Sequence, residues 1–487
     1  MATRSHSQAY RAAYALADQT PQASAAHPLG VPHVLWAGPA SFLVILELIS
    51  AGAGLAVLGL LAAFLFLGVA GLRLAASMLP AHTSARRTVL THALPSVTVL
   101  VALHREASVV AGLVEQLARM DYPRDRMDVA LAIEADDWET LRAAHAAAKA
   151  NASRLPVRVM AVPPVGPRTK PKALNFALQR TTGELVAVYD AEDAPAPQQL
   201  RAAAEAFAAD PALGCVQAPL GWYNRSENWL TRMFALEYAA QFHVLLPLFL
   251  RMGWPLPLGG TSNVFSRDAL LVCGGWDAHN VTEDADLGFR LARHGWKTGM
   301  VTHGTLEEAP VTRRAWTHQR SRWLKGHAIS WCVQMRQPGG LVSESGFGGL
   351  VSLQASLGMN VLSALAHGPA ALFVIWMTAS SLAAASLPWI VLPALAGYGA
   401  AILAAATGAR RAGFKPLARD LAMLPAYWLL QTPAAIRGLR EIGSQPYVWA
   451  KTEHGITAQH RMAPDEPYPH AHPDDCGAGP VRLQRVA

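Results

Sequence analysis

Charged side chains fall in blocks along this chain of 487 residues. Residues 345–409 contain no Asp, Glu, Lys or Arg, and residues 34–72 contain only Glu47. About 20 consecutive apolar residues cross a bilayer as a helix, because a helix satisfies its own backbone groups where no water can. Both blocks exceed that length. Most of the charge lies between them, in residues 73–344. The chain therefore reads as a water-facing domain set between membrane segments. This excludes a simple soluble enzyme, a disordered protein and a small disulfide-stapled secreted one.

The flanks refine the layout. Residues 34–72 suffice for two short spans with a turn at Ala51-Gly52-Ala53-Gly54, or for one long tilted span. Arg73, Arg86 and Arg87 follow, which places the next segment in the cytosol. The charge-free block predicts an amphipathic lead-in near 349–360 and spans near 362–380 and 387–407, with Pro388 in the external turn. Arg410, Arg411, Lys415 and Arg419 mark the return to the cytosol. Residues 421–436 are apolar but short and flanked by basic residues, and they predict a helix lying in the interface. Residues 1–30 and 458–487 are polar and rich in Pro, Ala and His, and are expected to be disordered. The apolar onset past residue 33 comes too late for an ordinary signal peptide. The expectation is an integral protein of the cytoplasmic (inner) membrane with a cytosolic domain over 90–335, membrane regions at 31–75 and 345–409, and a membrane-surface unit over 419–457.

Four dispersed cysteines (Cys215, Cys273, Cys332 and Cys476) form no CxxC and read as reduced thiols. The net charge of +7 suits anionic lipid or an anionic substrate. Lys and Arg are scattered and no zinc-finger spacing appears, so nucleic acid is not an expected partner.

From residue 97 the pattern alternates strand and helix. Strands are predicted at 97–103, 128–135, 157–162 and 185–189, and helices at 107–119, 138–150 and 172–180. Such alternation implies an α/β domain with a largely parallel sheet, whose ligands bind at the carboxyl ends of the strands. Glu134, Asp136 and Asp137 lie at the second such end, and Asp190-Ala191-Glu192-Asp193 at the fourth. Clustered carboxylates repel one another unless a cation compensates, and hard oxygens suit Mg²⁺ or Mn²⁺. A solvated acidic turn explains either cluster taken singly. Lys170, Lys172 and Asn175 open the intervening helix, whose N-terminus favours an anion such as a diphosphate. The turn Gly259-Gly260-Thr261-Ser262-Asn263 could approach a sugar closely. Thr282-Glu283-Asp284 precedes a helix, where Thr282 serves equally well as an N-cap with Asp286 as its capping partner. Gln319-Arg320-Ser321-Arg322-Trp323 is a basic helical stretch just before the membrane block. Each motif is ambiguous alone, but their order on a parallel α/β pattern is not.

In that order the sequence resembles the processive family 2 glycosyltransferases, the group of cellulose, curdlan, chitin and hyaluronan synthases. The resemblance covers about residues 95–455 and includes Tyr447-Val448-Trp449-Ala450-Lys451-Thr452-Glu453, which is similar to the gating loop of bacterial cellulose synthases. It implies a GT-A type, Rossmann-like domain with a mixed, mainly parallel sheet, flanked by transmembrane and interface helices. It implies inverting transfer of a hexose from a nucleotide-diphosphate sugar, UDP-glucose first, to a growing β-glucan-type polymer that the membrane helices help to export. A non-processive enzyme adding one sugar to a lipid or short glycan is the alternative. By resemblance Asp284 is the base, with Thr282 and Glu283 beside it. Asp190 with Glu192 or Asp193 holds Mg²⁺ or Mn²⁺. Glu106, Asp136, Asp137, Lys172, Asp190, Arg320, Arg322, Lys451 and Thr452 contact the nucleotide sugar. Trp323, Gln319, Thr261 and Ser262 face the acceptor. Glu192 stands where many members have Asp, so the second metal ligand stays open between Glu192 and Asp193. Two to four spans make a narrow channel at best, which leaves room for a homo-oligomer or accessory export subunits.

Overall fold

The computed structural model describes residues 2–30, 33–383 and 391–447. Ten strands form: β1 (Val97–Leu103), β2 (Met127–Glu134), β3 (Val157–Val162), β4 (Leu185–Tyr189), β5 (Ala194–Pro195), β6 (Leu213–Gln217), β7 (Leu220–Trp222), β8 (Asn263–Ser266), β9 (Lys297–Met300) and β10 (Thr305–Glu307). Seven of them build one sheet in the order β3-β2-β1-β4-β8-β6-β9. β8 runs antiparallel to both neighbours, and the other pairings are parallel. β1 is apolar almost throughout and buried at every position, as a central parallel strand should be. Val97 pairs with Met127 of β2 on one side and Leu185 of β4 on the other. Alternation along β1 sends Leu100 and Ala102 into one core layer and Val99 and Val101 into the other. The fold is thus the α/β type expected from the alternation, with the mixed, mainly parallel sheet that the resemblance implied. A second sheet, β5-β10-β7, closes the far side of the β4 end.

The helices between the first four strands lie where the periodicity puts them, at Val110–Leu117, Trp138–Asn151 and Lys170–Leu178. Asp137 caps the second of these by accepting from the Thr140 amide.

Around this domain lie long apolar helices. His33–Ile49 and Ala53–Met78 are separated by Gly52, whose φ of +86° is open to glycine at no steric cost. Among the described residues, Val57–Met78, Trp229–Arg251 and Pro338–Ser380 are long and apolar enough to cross a membrane. Trp229–Arg251 has no counterpart in the sequence reading, which left it inside the cytosolic domain. It is the most buried of the three, wedged between the α/β domain and the helix Val391–Arg411. The lead-in expected at 349–360 is not a separate element. The chain runs helically from Pro338 to Ala383, with a kink at Gly346 and a π-turn over Gln354–Gly358. The turn expected at Pro388 lies outside the described residues.

Two expectations need correction. Residues 1–30 are not disordered: Ala2–Gln19 is a helix. It buries Ala9, Ala12, Ala13, Leu16 and Ala17, the spacing of an amphipathic stripe. Gly274, with φ +77°, lets it approach, because a Cβ there would stand 2.8 Å from Leu16 Cδ1. The stripe is mostly alanine, so composition alone made the segment look unable to pack. Residues 421–436 are not one helix. Ala418–Leu429 and Gln431–Ser444 meet at Leu430, where Pro433 suits the first turn of a new helix. The second packs so tightly on the helix Arg313–Gln334 that a Cβ on Gly438 would lie 2.5 Å from the Ser321 carbonyl oxygen. The tail over 458–487 lies outside the described residues.

Candidate active site

The carboxyl ends of β1 and β4 open onto a cavity of about 360 Å³. β4 delivers Asp190 and Glu192 to it, and the turn after β1 delivers Glu106. The helix Glu283–Arg293 brings Glu283 and Asp284 at its N-terminus, and Arg313–Gln334 brings Gln319, Arg320, Arg322 and Trp323. Motifs more than 200 residues apart in sequence, from Glu106 to Trp323, thus meet in one place.

The geometry is held from below. The Asp190 amide donates to the Asp193 carboxylate at 2.7 Å, and the Thr261 hydroxyl donates to the same oxygen. Asp193 is therefore buried under the turn and does not line the cavity, while Thr261 and Glu192 do. Ser262 adopts φ +57°, rare for a residue with a Cβ, and its amide donates to the Val188 carbonyl at 2.8 Å. It is buried beneath the cavity rather than exposed to an acceptor. Lys170 donates to the Asp190 carboxylate and to the Gly260 carbonyl, the latter at 2.6 Å. A Cβ on Gly260 would stand 3.4 Å from Asp284 Oδ2 and 3.9 Å from Lys170 Nζ, so Lys170, Gly260, Asp190 and Asp284 converge.

Burial and mutual repulsion set the protonation of this cluster. Burial pushes the Glu283 carboxyl up to about 8, with Asp284 adding to the effect and Lys170 opposing it. Burial likewise raises Asp284 to about 6, against backbone hydrogen bonding and Lys170. Glu192 is raised by burial and by Asp190 and Glu106. Glu307, at the end of β10, is raised by burial and by Asp193, Glu192 and Asp190. Carboxylates outnumber Lys and Arg around the cavity. That surplus, built from hard oxygens, fits a divalent cation and a bound diphosphate. Among the described residues no group of three or more His, Cys, Asp or Glu forms a ready metal cage. Mg²⁺-type sites in phosphate chemistry use one or two carboxylates and complete their shell with substrate oxygens and water, so a full protein cage is not required.

Several predicted site residues lie elsewhere. Lys172 does not reach the cavity: it is fully buried, 2.6 Å from Glu134 Oε1. One turn of helix N-terminus carries two lysines, and only Lys170 faces β4. Arg320 lines the cavity but is held by Glu237, donating to its two oxygens at 2.8 and 2.6 Å, with the Tyr427 hydroxyl donating to Glu237 at 2.7 Å. These bonds tie the helix Arg313–Gln334 to the helix that carries Glu237. Asp136 pairs with Arg168 at 2.7 Å on the surface, and Asp137 is occupied as a helix cap, so both sit at the rim beyond β2. The capping reading of Thr282 also fails. Its side chain makes no cap bond and lies 3.3 Å from the Ser330 hydroxyl, while Asp286 pairs with Arg290 at 2.7 Å. Lys451 and Thr452 lie outside the described residues.

Trp323 stacks on Phe234 with ring centroids 5.7 Å apart, and Gln319 Oε1 is buried with no hydrogen-bond partner among the described residues. Both face the cavity, which then continues past them. Much of its further lining is apolar: Phe66 and Val69 from Ala53–Met78, Ala401 and Ala404 from Val391–Arg411, and Leu245 and Phe249, with Arg73, Ser363 and His367 among them. Glu237 and Glu307 belong to no motif and were invisible in the sequence. Lys170 was visible as a helix-start lysine but not separable from Lys172.

The profile of a family described as "Glycosyltransferase like family 2" matches residues 95–326. A beta-monoglucosyldiacylglycerol synthase from Synechocystis sp. is 32% identical over 233 residues, 48% of each chain. One from Nostoc sp. is 30% identical over 234 residues, 48% of this chain and 49% of that one. The chain thus matches about half the length of these curated relatives. Among solved structures, the mannosyltransferase PcManGT from Pyrobaculum calidifontis, in complex with GDP-Man and Mn²⁺, superposes with a TM-score of 0.54 at 21% identity. That superposition covers 82% of this chain and 98% of that one. It shares the fold. The strand order, the convergence of the acidic motifs on one cavity and the family match agree: residues 95–326 are a family 2 glycosyltransferase domain with the GT-A fold.

Proposed function

We propose that this protein transfers a hexose from a nucleotide-diphosphate sugar, UDP-glucose in the first instance, to a hydroxyl of a membrane lipid, with inversion at the anomeric carbon. One observation carries the lipid acceptor. The cavity that begins at Asp190 and Asp284 ends between apolar helices, so a hydroxyl on a lipid head group can reach the carboxylates while its chains stay among those helices. The relatives named as monoglucosyldiacylglycerol synthases support the same reading over the polymer that the motif resemblance implied.

The acceptor oxygen attacks the anomeric carbon, its proton passes to the Asp284 carboxylate, and the bond to the diphosphate breaks with its electron pair going to the leaving group. Burial supports Asp284 in this role by bringing its carboxyl to about 6, closer to working pH than a free carboxylate. Lys170 holds Asp190 in place, and Arg322 adds positive charge on the same wall. A divalent ion held by Asp190 and Glu192 would supply Lewis-acid stabilisation of the leaving diphosphate. Trp323 offers a flat apolar face to the acceptor, and Gln319 a hydrogen-bond acceptor beside it.

The protein would sit in the cytoplasmic membrane with this domain on the cytosolic side. The test is incubation of membranes holding the protein with radiolabelled UDP-glucose and diacylglycerol, followed by thin-layer chromatography. Label should appear in a glycolipid spot that is lost with Asp284→Asn, while the variant still binds nucleotide. Label left at the origin and released by a β-glucanase would refute the lipid acceptor and restore the polymer.

A further inference from the structure

The family match covers residues 95–326, so residues 2–30 lie outside it. Yet they are tied into the two elements that carry the catalytic motifs. Asp277 heads the loop that leads to Asp284, is 1% exposed, and receives the Ser24 hydroxyl at 3.0 Å and the Ala25 amide at 2.6 Å. The same carboxylate receives the His279 amide at 3.1 Å. Three residues after Asp277, Asn280 accepts from the Thr282 amide at 3.1 Å and donates to Ser330 at 2.9 Å. The loop is thus fixed at its head by the N-terminal segment and at its foot by the helix Arg313–Gln334. That helix is gripped in turn. Arg336, just past its end, donates to the carbonyls of Pro21, Gln22, Ser24, His27 and Pro28 at 2.8–3.2 Å.

Five carbonyls around one guanidinium and two donors on one buried carboxylate exceed what is needed to park a terminus. Termini untied to the fold fray. Here residues 21–28 meet the catalytic elements at two points, one on the Asp284 loop and one just past the Trp323 helix, and the Ala25 and Ala26 carbonyls also accept from the Tyr447 hydroxyl at 3.2 and 3.4 Å. Those elements also meet closely, since a Cβ on Gly326 would stand 2.4 Å from the Thr282 hydroxyl.

We propose that residues 20–28 are a brace for the catalytic geometry, and that Asp277 and Arg336 are positioning residues that fix the Asp284 carboxylate relative to Trp323 and Arg322. This rests on Asp284 acting as the base. An angular error of a few degrees in a general base costs rate with little cost in donor affinity, because Glu106, Asp190 and Glu192, the carboxylates assigned here to the donor and its metal, stand past the ends of β1 and β4, away from the Asp277 loop. The brace therefore acts on kcat and leaves the donor KM alone.

The experiment uses the full chain in detergent with UDP-glucose and diacylglycerol. Asp277→Ala, Asp277→Asn, Arg336→Met and Ser24→Ala are compared for kcat, donor KM, UDP binding and the ratio of donor hydrolysis to lipid transfer. The expected result is a kcat loss of at least tenfold for Asp277→Ala and Arg336→Met, with KM and UDP affinity within twofold and a higher hydrolysis ratio. Asp277→Asn keeps one acceptor oxygen and recovers part of the rate, and Ser24→Ala loses less than Asp277→Ala. The proposal is overturned if kcat stays within twofold in Asp277→Ala and Arg336→Met, or if a lower kcat comes with a raised KM and weakened UDP binding. Should Arg336→Met not fold, the ordering of Asp277→Ala, Asp277→Asn and Ser24→Ala decides the matter alone. If Asp284→Asn retains its rate, the assignment of the base fails, whatever the brace variants do.

Discussion

The ion pair between Arg320 and Glu237 makes a sharp test, because its two interpretations predict opposite readouts. Arg320 stands at an unspecified position of the Gln-x-x-Arg-Trp stretch, whose own Arg is Arg322, and the resemblance was taken to assign both to the nucleotide sugar. The structure gives its guanidinium two hydrogen bonds to Glu237, at 2.8 and 2.6 Å, and a third to Tyr427 at 3.3 Å. Glu237→Gln leaves the shape intact but strands a buried guanidinium. Losing one partner of a buried ion pair costs about 3–5 kcal/mol. Glu237 keeps 24% of its side-chain surface exposed, so the lower end, about 3 kcal/mol, applies. For a domain of this size each kcal/mol moves Tm by about 2–4 °C, so the drop should be about 6–12 °C. The assay is tryptophan fluorescence in detergent at a fixed scan rate, with UDP binding measured well below the transition. UDP affinity should stay within twofold, and Glu237→Gln combined with Arg320→Met should recover most of the lost Tm, since neither charge is then stranded. An unchanged Tm together with weakened UDP binding would show that the guanidinium serves the nucleotide.

Four further outcomes follow from the same geometry. The Asp284 carboxyl is raised to about 6 and must be ionised to accept a proton, so kcat/KM should fall about tenfold per pH unit below about 6; a profile flat from pH 5 to 8 contradicts this. Glu283 is raised to about 8, so the stability it contributes is full below its ordinary pKa and lost as pH rises through about 8, and Tm without metal or nucleotide should fall between pH 5 and 8. Lys172→Met should destabilise the fold by about 3–5 kcal/mol by stranding Glu134, with UDP affinity unchanged in the folded fraction; weaker UDP binding at unchanged Tm would return Lys172 to the donor site. Gly288→Ala places a Cβ 2.0 Å from the Leu256 carbonyl oxygen, so folded yield should collapse, whereas Gly112→Ala meets nothing within 4 Å and should be neutral or stabilising. Equal Tm in those two variants contradicts the packing of the Glu283–Arg293 helix.

Much of the site was legible because its chemistry sits at strand ends and helix starts, which periodicity locates. Asp190, Glu192, Asp284, Gln319, Arg322 and Trp323 were named from spacing and resemblance, and all line one cavity. What failed was the step from motif to orientation. Lys170 and Lys172 share a helix start, and nothing local records that Glu134 waits beneath one and Asp190 beside the other. Arg320 was named with its motif, but its partner Glu237 lies on an apolar helix 83 residues earlier. The N-terminal segment was misread for a different reason. An alanine stripe removes little apolar area per residue, so its amphipathic spacing is a weak signal beside its polar composition.

The cavity that joins the carboxylates to the apolar helices changes the energetics of the proposed reaction before any bond is made. Moving a methylene from hydrocarbon into water costs about 0.8 kcal/mol. Lifting a two-chain lipid of roughly thirty methylenes out of the bilayer would cost on the order of 25 kcal/mol, as much as the roughly 8–23 kcal/mol by which enzymes typically lower a barrier. A chamber walled by Phe66, Ala401 and Leu245 at one end and by Asp284 at the other removes the need for extraction. Only the head group has to leave the leaflet, while the chains keep their apolar surroundings.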